Sequence, residues 1–331
     1  MNEKGLQMLE QYDIRLLRSF GGRGSLMLET EQGLKLVKEF AGSKSKLSLE
    51  QKLLSRLEEK HICCTDRVVL NREGELLSLD EYETPWVLKN WPVGRECDTR
   101  NEEELLKSMR TLGAIHRTAR GALTLSEEER RCLQGTDRRV EFEKHNRELK
   151  RARSFIRSRH KKGDFELLYL KCAEDILKES FEAWERLISS DYEKLLERAE
   201  RETHLCHGEY IHHNIIFNRQ EVAVVNFQHF EINVQVNDIC LFLRKIMEKQ
   251  NWNESLAGRM MEAYERELSL SGEERSYLAI CLGYPEKVWK LIHHYYHTNK
   301  AWVSEKSAKK LELFLEQEEK RKKLIRNLFS C

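Results

Sequence analysis

Residues 205–217, LCHGEYIHHNIIF, and 222–227, VAVVNF, decide how this chain is read. Two short apolar runs, IIF and VAVV, flank a polar Asn-Arg-Gln-Glu turn, the pattern of a small buried β-hairpin within residues 204–230. The run-in carries His207, Gly208 and Glu209, followed at position 214 by an asparagine directly before the first strand. The second strand ends on Asn226 and Phe227. Loops at the ends of rigid buried strands are favoured places to mount binding groups, so this hairpin is the candidate site.

The surroundings of the hairpin read as helix. Leu105, Leu106, Met109, Leu112 and Ile115 recur with helical period between Glu102 and Gly121, and charged stretches over 138–160 and 165–201 have the same period. The first part of the chain reads differently. From Tyr12 to Phe40, YDIRLLRSF, GGRG, SLMLET, a Gln-Gly turn and LKLVKEF predict an antiparallel three-strand meander. KLSLEQKLLSRLEEKH then puts Leu47, Leu53, Leu54 and Leu57 on one helix face, with Ser43 or Ser48 as the cap. RVVL, ELLSLDEY and PWVLKNW predict further strands, and Pro92 and Gly94 break the pattern. The expectation is a bilobal α+β chain with a β-rich lobe over 1–91, a hinge over 92–98 and a helical lobe over 99–331.

Composition narrows the partners. With 57 basic and 56 acidic residues the net charge is +1, so bulk electrostatics favour neither nucleic acid nor a membrane surface. Only 3 prolines and 16 glycines fit a helix-rich protein. The nine cysteines (63, 64, 97, 132, 172, 206, 240, 281 and 331) show no CxxC spacing, and an odd number cannot all pair within one chain. Reduced thiols in a cytoplasmic protein are expected. Neither a secretory leader nor a run of about 18 apolar residues is seen.

Several residues suit phosphoryl transfer, which needs a loop over the phosphates, a cation, metal ligands and a base. Gly21, Gly22 and Gly24, between two predicted strands, would let backbone N–H groups approach phosphate, although a glycine-rich hairpin turn would look the same. Lys38 ends an apolar strand and is placed to pair with Glu50 on the next helix; a solvent-facing lysine is the plainer reading, and Lys35 competes for the role.

The hairpin resembles the HGDxxxxN loop and following hydrophobic strand and DF of the aminoglycoside phosphotransferase and choline kinase superfamily. His207, Gly208, Asn214 and Phe227 match that pattern; Glu209 stands where the family has its catalytic-base Asp, and Asn226 where it has a metal-binding Asp. WVLKNWPVGRECD, LGAIHRTARG and NDICLFLRKIMEKQNW are similar to CotS-type spore coat proteins of the same superfamily. The resemblance implies a protein-kinase-like fold, a hinge from Trp91 to Gly94 over which an adenine ring would lie, Asn214 and Asn226 at the metal positions, His207 holding the loop, and Asp238 buttressing it.

The two departures set the functional expectation. Lengthening Asp to Glu209 displaces the carboxylate by about 1 Å, which can cost about a hundredfold where positioning dominates. Asn226 offers a hard cation one neutral oxygen in place of a carboxylate. Gln228 is neutral, and Glu231 is the nearest acid. The chain therefore reads as a pseudokinase that binds ATP and Mg²⁺ weakly or not at all. By resemblance it docks other spore coat proteins, in the mother-cell cytoplasm or assembled into the coat. The alternatives are an active atypical phosphotransferase acting on a protein or small hydroxylated substrate, and a plain anion-binding scaffold.

Two further features have bland readings. His204, His207, His212 and His213 crowd the loop, but a loop entering a strand is a poor zinc frame, so they are read as satisfied loop histidines. Arg151, Arg153, Arg157, Arg159, Lys161 and Lys162 could attract a polyanion, yet acids flank them, and a solvated helix face is preferred.

Overall fold

Alternating apolar residues between Leu16 and Glu39 fold into three antiparallel strands, β1 (Leu16–Gly21), β2 (Leu26–Thr30) and β3 (Gly33–Glu39). The computed structural model describes residues 6–21, 25–218, 221–297 and 305–329, so Gly22 and Gly24 of the expected phosphate loop lie outside the described residues. Helix α1 (Lys44–Glu59) follows, and the Ser43 hydroxyl caps it by accepting the Lys46 N–H at 3.4 Å. Next come β4 (Cys64–Thr65), β5 (Ser78–Leu79), β6 (Pro85–Asn90) and β7 (Arg95–Glu96).

The main sheet has the order β1-β2-β3-β6-β5. One face carries Leu26, Leu28, Val37 and Leu88 against Met8 and Tyr12; Val87 packs with Leu47 and Val68 in a separate cluster. The expected strand at RVVL is reduced to a bridge between Val68 and Lys89. The Val69 N–H and the Arg67 carbonyl pair with β6 at 2.8 Å each, while the outward Val68 N–H is taken by the Gln51 side chain at 2.7 Å.

Helices dominate the rest: α2 (Glu102–Ala119), α3 (Glu127–Leu133), α4 (Arg138–Ser158), α5 (Asp164–Ile188) and α6 (Tyr192–Arg201). The single helical stretch expected over 165–201 breaks at Ser189 and Ser190, whose hydroxyls donate back to the carbonyls of Glu185 and Leu187. After these come β8 (Leu205–Cys206), β9 (Ile215–Phe217), β10 (Val222–Val224) and β11 (Glu231–Ile232). The chain continues as α7 (Val236–Met247), α8 (Glu254–Glu265), α9 (Gly272–Gly283), α10 (Glu286–His297), α11 (Glu305–Glu316) and α12 (Glu318–Phe329). This is a bilobal α+β kinase-like fold, an antiparallel β-lobe followed by a largely helical one. No helix among the described residues is long and apolar enough to cross a membrane.

Two cores organise the helices. Leu49, Leu53, Leu54 and Leu57 of α1 join the larger one, with α2, α7, α8 and α9, so this helix links the β-lobe to the helical lobe. A second core lies among α4, α5, α10 and α11.

The predicted hairpin forms as β9 and β10, with Ile215 opposite Val224 and Phe217 opposite Val222. It is flanked on both sides in a four-stranded sheet, β4-β10-β9-β7. Gly94 just before β7 approaches so closely that a Cβ there would lie 2.5 Å from the Phe217 carbonyl oxygen. Gly94→Ala is therefore expected to cost about 1–3 kcal/mol through forced displacement of β7 from β9, read as a lower urea midpoint with unchanged slope.

Candidate functional site

The loop before β9 is held from beneath by Asp238 of α7, which is fully buried. Its carboxylate accepts the N–H of His207 at 2.6 Å and of Gly208 at 3.0 Å, and meets His116 Nε2 of α2 at 3.1 Å. Burial pushes this carboxyl up, but the contact with His116 and the hydrogen bond from the His207 backbone N–H outweigh it and hold it below the usual range. His207 is also buried; its Nε2–H donates to the Val225 carbonyl at 3.1 Å, while Nδ1 accepts the Glu209 N–H at 3.1 Å. Gly208 has φ +80, and a Cβ there would lie 2.1 Å from the His229 carbonyl oxygen, so only glycine fits.

Asn214 and Asn226 are brought together. Asn226, itself in the left-handed region at φ 66, donates from Nδ2 to Asn214 Oδ1 at 2.9 Å, and Asn214 Nδ2 donates to the Glu209 carbonyl at 2.9 Å. The one side-chain oxygen of Asn214 is thus already committed to a neutral amide. The Glu209 carboxylate is half-exposed, with His229 Nε2 at 3.9 Å. Burial pushes the Glu231 carboxyl above its ordinary value, against a hydrogen bond from Asn233, so it makes a poor substitute ligand. The donor set at Asn214 and Asn226 does not fit a tightly gripped Mg²⁺, which favours charged oxygens.

The lysine arrangement differs from the expected one. Leu36 pairs with Lys89 and Lys38 with Val87, which puts both lysines on the same sheet face. It is Lys89 that takes Glu50, at 2.7 Å, and it also meets Asp66 at 3.0 Å; the three side chains are 3%, 4% and 0% exposed. Burial alone would depress the Lys89 pKa, but the two carboxylates push it up. Lys38 instead donates to the neutral Gln228 Oε1 at 2.5 Å. Burial and then the charge of Lys89 push its pKa down, with Asp66 and Glu50 acting the other way. Lys35 bonds Asn90 at 2.7 Å and the Gln32 carbonyl at 2.8 Å. Trp91 packs against Ile216, Ala223 and Val225 of the hairpin, and its N–H reaches the Leu34 carbonyl at 2.9 Å.

The loop histidines have separate partners: His204 meets Glu202, His207 the Val225 carbonyl, His212 accepts from Lys249 at 2.8 Å, and His213 meets Glu96 at 2.5 Å. The basic segment is partly spent on pairing, Arg153 with Glu174 and Arg159 with Glu166. A Glu/His cluster with metal-ligand spacing and no aspartate does exist among the described residues, elsewhere in the helical lobe. Ligand atoms of Glu148, His293 and His297 all lie within 4.8 Å of one another. Sequence reasoning missed Lys89, Asp66 and this cluster. The i,i+4 pair in LIHHYYH was visible, but its partner on another helix was not.

Residues 28–277 match the phosphotransferase enzyme family, APH. The fold is similar to that of an aminoglycoside phosphotransferase from Alicyclobacillus acidocaldarius, at 17% identity over 98% of this chain and 94% of that one, TM-score 0.85. It is also similar to a spectinomycin phosphotransferase crystallised with ADP and spectinomycin, at 12% identity over 96% of each chain, TM-score 0.67. A third similar structure is an amicoumacin kinase with AMP-PNP and Ca²⁺, at 13% identity over 99% of this chain and 94% of that one, TM-score 0.58.

Removing the cation from a buried ion cluster strands two carboxylates, so Lys89→Met is expected to lower stability by about 3–5 kcal/mol in urea denaturation. Lys38→Met loses one hydrogen bond to a neutral group and should cost about 1.5 kcal/mol or less. Burial, then His213 and Lys249, push His212 down to about 4. The unfolded ring takes its proton near 6.5 and the folded one only near 4, so the stabilisation is complete above pH 6.5 and is lost as pH falls toward 4. An NMR titration of His212 should show the low value, and His212→Asn should flatten the loss of stability across that window.

Proposed function

The chain belongs to the phosphotransferase enzyme family, and we propose that it is a degenerate member, a pseudokinase that keeps the bilobal frame but not Mg²⁺-dependent phosphoryl transfer. The observation that carries this reading is the hydrogen bond from Asn226 to Asn214 at 2.9 Å. Where the family pattern has a carboxylate and an amide sharing a cation, this chain has two amides satisfying each other. A neutral pair needs no ion, and inserting one would break the bond and recover no charge neutralisation.

Glu209 supports the same reading, because its carboxylate sits beside His229 and is longer by one methylene than the family's aspartate. Nucleotide binding without turnover is compatible with the site. Lys38 is held by a neutral side chain, an anchor that a phosphate oxygen can outbid, and Gly21 is described at the mouth of the expected phosphate loop. The docking role rests on the resemblance of the hinge segment and of residues 237–252 to CotS-type spore coat proteins; its partners would be other coat proteins, assembled from the mother cell.

The test combines binding and turnover. Thermal shift with ATP should show the same small or absent stabilisation with Mg²⁺ as with EDTA, and transfer of labelled γ-phosphate should stay at background. Asn226→Asp should make the ATP shift depend on Mg²⁺, because it returns a carboxylate to Asn214. Robust Mg²⁺-dependent transfer by the wild-type protein, abolished by Glu209→Ala, would instead establish an active atypical phosphotransferase. The coat reading fails if a purified coat fraction from sporulating cells carries none of this chain.

A further inference from the structure

Helices α4 and α10 run side by side in the same direction, and their contacts form a ladder. Phe142 stacks on Tyr284 with centroids 3.8 Å apart, His145 stacks on Trp289 at 3.4 Å, and Glu148 then meets His293 at 3.0 Å. The near ends of the same two helices, with Arg138, Glu141, Glu286 and Lys290, line a cavity of about 370 Å³ that Gly208 and His229 also border. Glu148 and His293 lie about two helical turns beyond Glu141 and Glu286, away from that cavity.

We propose that Glu148, His293 and His297 form a zinc-class metal site that staples α4 to α10, the two helices walling the cavity beside the loop. Residues four apart on a helix share a face, so His293 and His297 present two imidazoles together, and the facing helix supplies the carboxylate. Two nitrogens and one carboxylate oxygen select zinc and its first-row neighbours over magnesium or calcium, and three protein ligands leave a fourth position for water. The distances suit such an ion. Ligands about 2.0–2.1 Å from zinc stand about 3.3 Å apart across a tetrahedral angle. Glu148 and His293 are already at 3.0 Å. The widest separation, at most 4.8 Å, closes by rotation of the exposed His297.

The carboxylate is already held from behind. The Trp289 Nε1–H donates to Glu148 Oε2 at 2.8 Å, and the ring of His145 packs flat on that indole, which fixes the carboxylate without an ion. Metal binding takes the place of a proton between Glu148 and His293, so uptake is weaker in acid. The site is independent of the pseudokinase reading, because neither Asn214 nor Asn226 belongs to it.

Cobalt(II) is the direct probe, used on the full-length, chelator-stripped protein kept reduced. One equivalent should give visible d–d bands without a thiolate charge-transfer band, and zinc should displace it. His293→Ala, His297→Ala and Glu148→Gln should each abolish the bands while their metal-free melting curves match the wild type. Trp289→Phe removes the N–H while leaving a smaller aromatic ring under His145, so affinity should fall about 10–100-fold. His213→Ala, in the histidine-rich loop, should change nothing. Zinc should also raise the melting temperature of the wild type and not of His297→Ala. A thiolate band, bands that survive His293→Ala and His297→Ala, bands lost in His213→Ala, or no bound cobalt would overturn the proposal.

Discussion

Asp238 accepts two consecutive backbone N–H groups and faces His116, and through those contacts α7, α2 and the loop before β9 become one buried network. His116 extends it to Tyr264 of α8 at 2.9 Å, so the support crosses three helices. A carboxylate so deeply buried is tolerable only because every one of these partners is present. The conformation of Gly208, the tautomer of His207 and the approach of Glu209 to Asn214 all follow from that anchoring. The loop is therefore held in place independently of what stands at positions 209 and 226.

The pair at the metal position is neutral. Two amides facing each other form a bond that is stable without an ion, whereas a carboxylate in the place of Asn226 would have a cation as its natural partner. The same neutrality recurs at Lys38, whose ammonium rests on Gln228 while the helix glutamate is taken by Lys89. The buried ion cluster lies elsewhere, in Lys89, Glu50 and Asp66, which join the sheet to α1. That cluster serves the frame, while in the cleft Asn226 bonds Asn214 and Lys38 bonds Gln228.

Much of this was legible in the residues. Period-two runs gave the meander and the hairpin, Ser43 announced the start of α1, and the leucine face of that helix was plain. Local competition was harder to see: RVVL pairs with β6 only through a bridge, with Gln51 holding the outward Val68 N–H, and Ser189 and Ser190 broke an expected helix. The exchange of Lys38 for Lys89 was hidden for another reason. Strand alternation says which face a lysine occupies, not which of two neighbours on that face reaches a given carboxylate. Pairings between distant segments, such as Glu148 with His293, have no periodicity to betray them.

The small sheet around the hairpin bears on motion. Strand β4 comes straight from the β-lobe and hydrogen-bonds β10, while β7, which follows β6 in the chain, pairs with β9. The hairpin is thus tied on both sides to segments that flank β5 and β6 of the β-lobe in the chain. Swinging one lobe away from the other would shear a backbone ladder, so the two lobes should ride as one piece.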